Sequence, residues 1–152
     1  MDDTRSLFLN LSSEITGYSS LELETTGLVD LYHALIEEIL AAKLADFYGF
    51  AKSAIDSSGD LEETARVMAS SSVFWPVISS LIGLWYLGSW TQLPNEWYAQ
   101  TGLPLPGPAG AGRTHTPSSL AYIEQLSYRT ADAHPPGAKA TGFGTWGWQP
   151  AS

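Results

Sequence analysis

The chain has 152 residues, a formal net charge of −9 at pH 7, 44% hydrophobic residues and no Cys. The length argues for one domain, the hydrophobic share argues against wholesale disorder, and the acidic balance argues against a nucleic-acid binder, which needs Lys and Arg against phosphates. Without Cys there is no disulfide, thiolate zinc site, iron–sulfur ligation or Cys nucleophile.

The composition is uneven along the chain. Residues 1–66 hold 13 of the 16 acidic residues and 4 of the 7 basic ones. All six Trp and all nine Pro lie from Trp75 onward. The first part reads as a solvated helical scaffold, and the second as an aromatic, irregular segment with little charge. The start, Met1-Asp2-Asp3-Thr4-Arg5, has no basic region followed by an apolar one, so it is no secretory signal.

Leu7, Leu11 and Ile15, with Phe8 beside them, predict a short amphipathic helix over Ser6–Ile15, ended by Gly17. A polar stretch, Tyr18 to Gly27, follows. Leu28, Leu31, Tyr32, Leu35 and Ile39 fall at helical spacing, with Asp30, His33, Glu37 and Glu38 pointing elsewhere. This pattern is expected to run on through Leu44, Phe47 and Ile55, with a bend at Gly49 and a stop at Ser57-Ser58-Gly59. Asp60 suits an N-cap, with Glu62 and Glu63 in a first turn where the helix dipole favours acids. That helix carries Leu61, Ala65 and Met68.

Trp75-Pro76 looks like the next helix start, since Pro is tolerated at the first helical position. The helix runs to Leu87 and stops at Gly88. A membrane span needs roughly 20 mostly apolar residues. Here Pro76, Ser79, Ser80, Gly83, Gly88 and Ser89 interrupt the run, and no basic cluster flanks it, so a buried helix is the better reading. The Pro- and Gly-rich stretch from Ser89 to Pro117 predicts no regular element. Thr116-Pro117-Ser118 opens one more helix, with Leu120, Tyr122, Ile123 and Leu126 as apolar positions. The expected fold is all-α: about five helices in a compact bundle, a long Pro/Gly-rich loop and an extended aromatic C-terminal tail. It forms one domain over 1–152, with a helical core at 6–130 and the tail at 131–152.

Candidate chemistry is sparse. Gly142-Phe-Gly144-Thr-Trp-Gly147 matches a dinucleotide fingerprint by letter, but no strand precedes it and no room for a helix follows. Gly107-Pro-Ala-Gly-Ala-Gly112 lacks the Lys-Ser/Thr of a phosphate loop. Asp30, His33 and Glu37 would line one helical face, as in half of a carboxylate metal site. Such a site takes partners from other helices, and His115 and His134 lack the spacing, so a solvated polar face is expected instead. The pairs Glu37/Glu38 and Glu62/Glu63 diverge around their helices and do not converge on a substrate. No nucleophile motif is present.

What remains is the aromatic content. Aromatics are enriched at protein interfaces, and a Pro/Gly-rich tail carrying Phe143, Trp146 and Trp148 cannot form its own core. Such a tail either packs on the chain's own helices or meets a partner. A small-ligand binder or enzyme with the aromatic loop as a pocket wall is the alternative.

Three segments carry a resemblance. Phe8-Leu-Asn-Leu-Ser-Ser-Glu-Ile-Thr-Gly17, then Leu84-Trp-Tyr-Leu-Gly88, then Ala133-His-Pro-Pro-Gly-Ala-Lys-Ala-Thr-Gly-Phe-Gly-Thr-Trp146 resemble, in order, the small subunit of bacterial FAD-dependent sugar and polyol dehydrogenases. This is the sorbitol, fructose and glucose dehydrogenase small-subunit family. The resemblance implies a non-catalytic accessory role, in folding and maturation of a large flavoprotein subunit of the glucose–methanol–choline oxidoreductase type. It implies no catalytic, metal or cofactor-binding residue in this chain. FAD is expected in the partner, and a third, cytochrome c subunit often accompanies such complexes. The expected partner-binding residues are Trp85, Tyr86, Gly88, Trp90, His134, Pro135, Pro136, Gly137, Phe143, Gly144, Trp146 and Trp148. Exported family members begin with a twin-arginine signal, which this sequence lacks. As it stands it reads as cytoplasmic; a member whose signal had been removed would be periplasmic.

Overall fold

The computed structural model describes residues 3–127. Among them the fold is all-α, with eight α-helices rather than about five. These are α1 (Asp3–Thr16), α2 (Ser20–Thr25), α3 (Val29–Leu40), α4 (Leu44–Ser57), α5 (Leu61–Ala69), α6 (Trp75–Leu87), α7 (Asn95–Thr101) and α8 (Ser119–Ile123). A single 3₁₀ turn, Ala41–Lys43, joins α3 to α4. The expected tail, 131–152, lies outside the described residues.

Helix α1 is the hub: it packs on α2, α3, α4 and α6. Its buried stripe is Phe8, Leu11, Ser12, Ile15 and Thr16, all fully covered. This is the spacing of one helical face. Leu7, expected on that face, is only partly buried. Two polar residues therefore sit on the core side of α1. Thr16 bonds the Ser12 carbonyl at 2.8 Å, which satisfies its hydroxyl within the helix. The helix ends at Gly17, whose φ of 82° suits the left-handed C-terminal position.

The next segment folds into α2, where no helix was expected. Ser19 accepts from the Glu22 amide at 3.1 Å, and the Glu22 carboxylate accepts from the Ser19 amide at 2.9 Å. This reciprocal capping box offsets the cost of starting a six-residue helix. Arg5 ties the three N-terminal helices together, with its guanidinium 2.6 Å from Asp30 and 2.9 Å from Glu24. Its hydrogen bonds hold both carboxyls below the usual carboxylate range. These pairs are exposed, so they orient helices more than they stabilise them.

The predicted long helix from Leu28 to Ile55 breaks at Ala41, not at Gly49. Ala41 adopts φ 47°, ψ −117°, a region that L-residues rarely occupy. His33 also departs from expectation. It is buried, with its ring 5.6 Å from Phe8 and 6.4 Å from Tyr48. The face carrying Asp30, His33 and Glu37 is thus only partly solvated.

Other local readings agree with the structure. The Asp60 carboxylate caps α5 by accepting from the Glu63 amide at 2.8 Å. Helix α6 begins at Trp75-Pro76 and ends at Gly88, with φ 73°. Among the described residues no helix is long and apolar enough to cross a membrane.

The Pro/Gly-rich loop contains one helix, α7, which starts after Pro94 and stops at Gly102. It buries Trp97 and Tyr98. The loop closes on itself where Trp90 and His115 exchange backbone hydrogen bonds of 2.8 and 3.0 Å. The final helix, α8, is capped by Ser118 and buries Ala121. Leu126 is buried as expected. Leu120, Tyr122 and Ile123 are not.

The strain at Ala41 is testable. Ala41→Gly should raise the free energy of unfolding by about 1 kcal/mol, because relief of the positive φ outweighs the added entropy of the unfolded chain. Urea denaturation reads the shift.

Candidate functional site

The two described segments of the resemblance, Phe8–Gly17 and Leu84–Gly88, meet in the core. Helix α1 carries the first and α6 the second. The Trp85 indole N–H donates to the Ser12 hydroxyl at 3.0 Å. One turn on, the Tyr86 hydroxyl donates to the Thr16 carbonyl at 2.8 Å. The Trp85 ring stacks on Phe8 at 6.5 Å and meets the edge of Tyr32 at 4.8 Å. Tyr32 in turn donates to the Leu84 carbonyl at 3.3 Å. Burial pushes the Tyr32 and Tyr86 hydroxyls above the usual tyrosine range.

The structure places four of the expected partner-binding residues inside the described fold. Trp85 and Trp90 are fully buried, and Tyr86 and Gly88 are buried beside them. Trp85, Tyr86 and Trp90 belong to this chain's own core cluster. Trp90 donates from its indole to the Gly112 carbonyl at 3.2 Å, which pins the Pro/Gly-rich loop. Gly88 is required twice over. Its φ is positive, and an added Cβ would stand 2.6 Å from the Ala121 carbonyl oxygen. The absence of a side chain is what lets α8 lie against the end of α6.

The remaining expected residues, His134, Pro135, Pro136, Gly137, Phe143, Gly144, Trp146 and Trp148, lie outside the described residues. So do Gly142–Gly147, the dinucleotide-like letters. Gly107–Gly112 forms tight turns, with the Gly110 amide bonded to the Gly107 carbonyl at 3.0 Å. Among the described residues no group of three or more His, Asp or Glu gathers at metal-binding distance.

Several apolar side chains are left in solvent, among them Leu21, Leu31 and Leu105, which stand apart on α2, α3 and the Pro/Gly-rich loop. Leu120, Tyr122 and Ile123 of α8 are 42, 58 and 60% exposed, and Leu87, next to Gly88, is 54% exposed. Close packing of Gly88 against Ala121 and Tyr122 brings Leu87 beside α8, while the Leu120 side chain lies near Gly27. The signal was present in the sequence: a five-residue helix cannot turn Leu120, Ala121, Tyr122 and Ile123 all inward. Exposed apolar residues mark interaction sites when they form a large contiguous patch.

Compared with known proteins, the chain matches no protein-family model, no curated protein and no solved structure.

Gly88→Ala should cost about 3 kcal/mol, from the left-handed backbone and the collision with the Ala121 carbonyl together. Urea unfolding monitored by Trp fluorescence measures it. A change below about 0.5 kcal/mol, the ordinary surface value, would mean that α8 does not press on this glycine.

Proposed function

We propose that the chain is a non-catalytic accessory subunit, which binds and stabilises a large flavin-dependent oxidoreductase of the glucose–methanol–choline type. The observation that carries this reading is the exposed apolar face of α8 and Leu87. It stands at the end of the described chain, directly before the segment that holds Phe143, Trp146 and Trp148. The resemblance over Phe8–Gly17, Leu84–Gly88 and Ala133–Trp146 supplies the class of partner.

The joint between α1 and α6 makes a rigid helical body. Gly88 seats α8 on that body and turns its apolar residues outward. Together with the aromatic C-terminal segment, this face would supply the anchors of an interface, which need large apolar side chains in a desolvated centre. The acidic residues of α1 to α5 would keep the exposed faces of those helices in water. The flavin would belong to the partner, and with it the oxidation chemistry; this chain would contribute folding and flavin retention.

The test is co-expression with a large flavoprotein of that type. The large subunit should be soluble and flavin-loaded with this chain, and insoluble or flavin-poor without it. Truncation after Arg129, or Leu120→Glu with Ile123→Glu, should abolish co-purification while leaving the far-ultraviolet circular dichroism of α1 to α7 in place. Full flavin loading and normal activity of the large subunit without this chain would sink the proposal.

A further inference from the structure

The turn that joins α3 to α4 is made of residues that favour helix over turn. Ala41 holds φ 47° and ψ −117°, the backbone of a glycine position in a tight turn. The other positive-φ residues among those described are Gly17, Gly27, Gly88 and Gly102, so Ala41 is the one with a Cβ to strain. Neither helix end is well finished at this joint. Helix α3 has no basic residue in its last turn and places Glu37 and Glu38 there, against its dipole. Helix α4 has Lys43 as its N-cap, with no side-chain cap bond and a cation at the positive end of the dipole. Ala41, Ala42, Lys43, Leu44 and Ala45 are all good helix formers, and neither Gly nor Pro stands among them. Ala41 and Ala42 are exposed, so straightening the turn breaks little packing at the turn itself. A continuous helix over 29–57 has none of these faults.

We propose that the turn at Ala41–Lys43 is a domain-swapping hinge, and that the partner it serves is a second copy of this chain. Opening the hinge fuses α3 and α4 into one helix about 44 Å long at 1.5 Å per residue. That helix carries α1–α3 away from α4 and α6, on which α1 packs, and a second copy covers the faces so exposed. The three helices leave as a unit, because Arg5 of α1 binds Glu24 of α2 and Asp30 of α3 within it. The bonds that cross from this arm to the rest include Trp85 to Ser12, Tyr86 to Thr16 and Tyr32 to the Leu84 carbonyl. Each is re-made between copies in the dimer, so the core is conserved. The single 3₁₀ turn is the whole covalent link between arm and body, so no other segment has to unravel. Exchange costs association entropy and gains relief at two hinges, which is why short strained hinges favour it. The hinge shares no residue with the exposed face of α8 and does not depend on the accessory-subunit reading.

The full chain is unfolded in urea and refolded at low and at high concentration, and the products are separated by size-exclusion chromatography with light scattering. The share of dimer should rise with concentration, and the dimer should outlast dilution because return requires the core to open. Ala41→Gly relieves the strain in the monomer and weakens the fused helix. Each effect is worth about fivefold per hinge, so over two hinges the dimer Kd should rise by several hundredfold. This variant makes the more stable monomer, so loss of its dimer is not loss of the fold. In the parent dimer the Ala42 and Lys43 amides should exchange with deuterium more slowly than in the monomer, since a continuous helix pairs them with the Glu38 and Ile39 carbonyls. Leu120→Glu with Ile123→Glu should leave the dimer intact. A chain that stays monomeric at high concentration, a dimer indifferent to Ala41→Gly, unchanged exchange at Ala42 and Lys43, or a dimer lost with the α8 substitutions would overturn the hinge.

Discussion

The fold depends on one buried polar contact, the Trp85 indole N–H to the Ser12 hydroxyl. An indole brings about 200 Å² of largely apolar surface, worth about 5 kcal/mol when removed from water. It also brings an N–H that must find a partner inside. Ser12 provides that partner from the core face of α1, where an apolar residue would pack equally well but leave the donor unpaired. The contact therefore sets the position of α6 along α1, as well as its distance. Tyr86, the next residue of α6, repeats the arrangement one turn further along α1, against the Thr16 carbonyl. Two directional bonds on successive turns define a register that apolar packing alone leaves loose.

The consequences run outward from that joint. With α6 fixed, its C-terminal end at Gly88 has a defined place, and the chain after it returns through the Trp90–His115 bridge. Trp90 clamps the Pro/Gly-rich loop by its own indole bond to Gly112. The loop then delivers Ser118 as a cap and α8 against Gly88. Each step rests on one residue and one physical cause. A donor needs an acceptor, a glycine admits a neighbour, and a hydroxyl closes a helix end. The apolar face of α8 is the outcome. The core consumes Trp85, Tyr86 and Trp90, and the α8 face is the part of the described surface on which the proposed accessory role rests.

Much of this was legible in the sequence wherever the cause is local. The Asp60 cap, the Trp75-Pro76 start and the Gly88 stop each rest on interactions within a few residues, and the structure has them as read. The all-α class follows from the same periodicity. Two short helices were missed although their signals stood in the chain. Ser19 and Glu22 have capping-box spacing, and Pro94 with Gly102 brackets α7 in the usual order of Pro before and Gly after. What the sequence could not convey is the direction of side chains on α6. That helix is apolar nearly all round, so periodicity selects no face, and Trp85 reads equally well as core or interface. His33 was misplaced for a related reason. Its imidazole counts as polar in a pattern, yet its ring packs on Phe8 and Tyr48 as an aromatic would. The break at Ala41 had no signal, since alanine favours the helix that it interrupts.

The most direct test of this account is a double-mutant cycle between Ser12→Ala and Trp85→Phe, read by urea unfolding. The cycle isolates the bond from the volume lost with the indole. A coupling of about 1 kcal/mol is predicted, the usual worth of a buried neutral hydrogen bond. Strictly additive effects would contradict the claim that the indole of Trp85 is held inside this chain by α1.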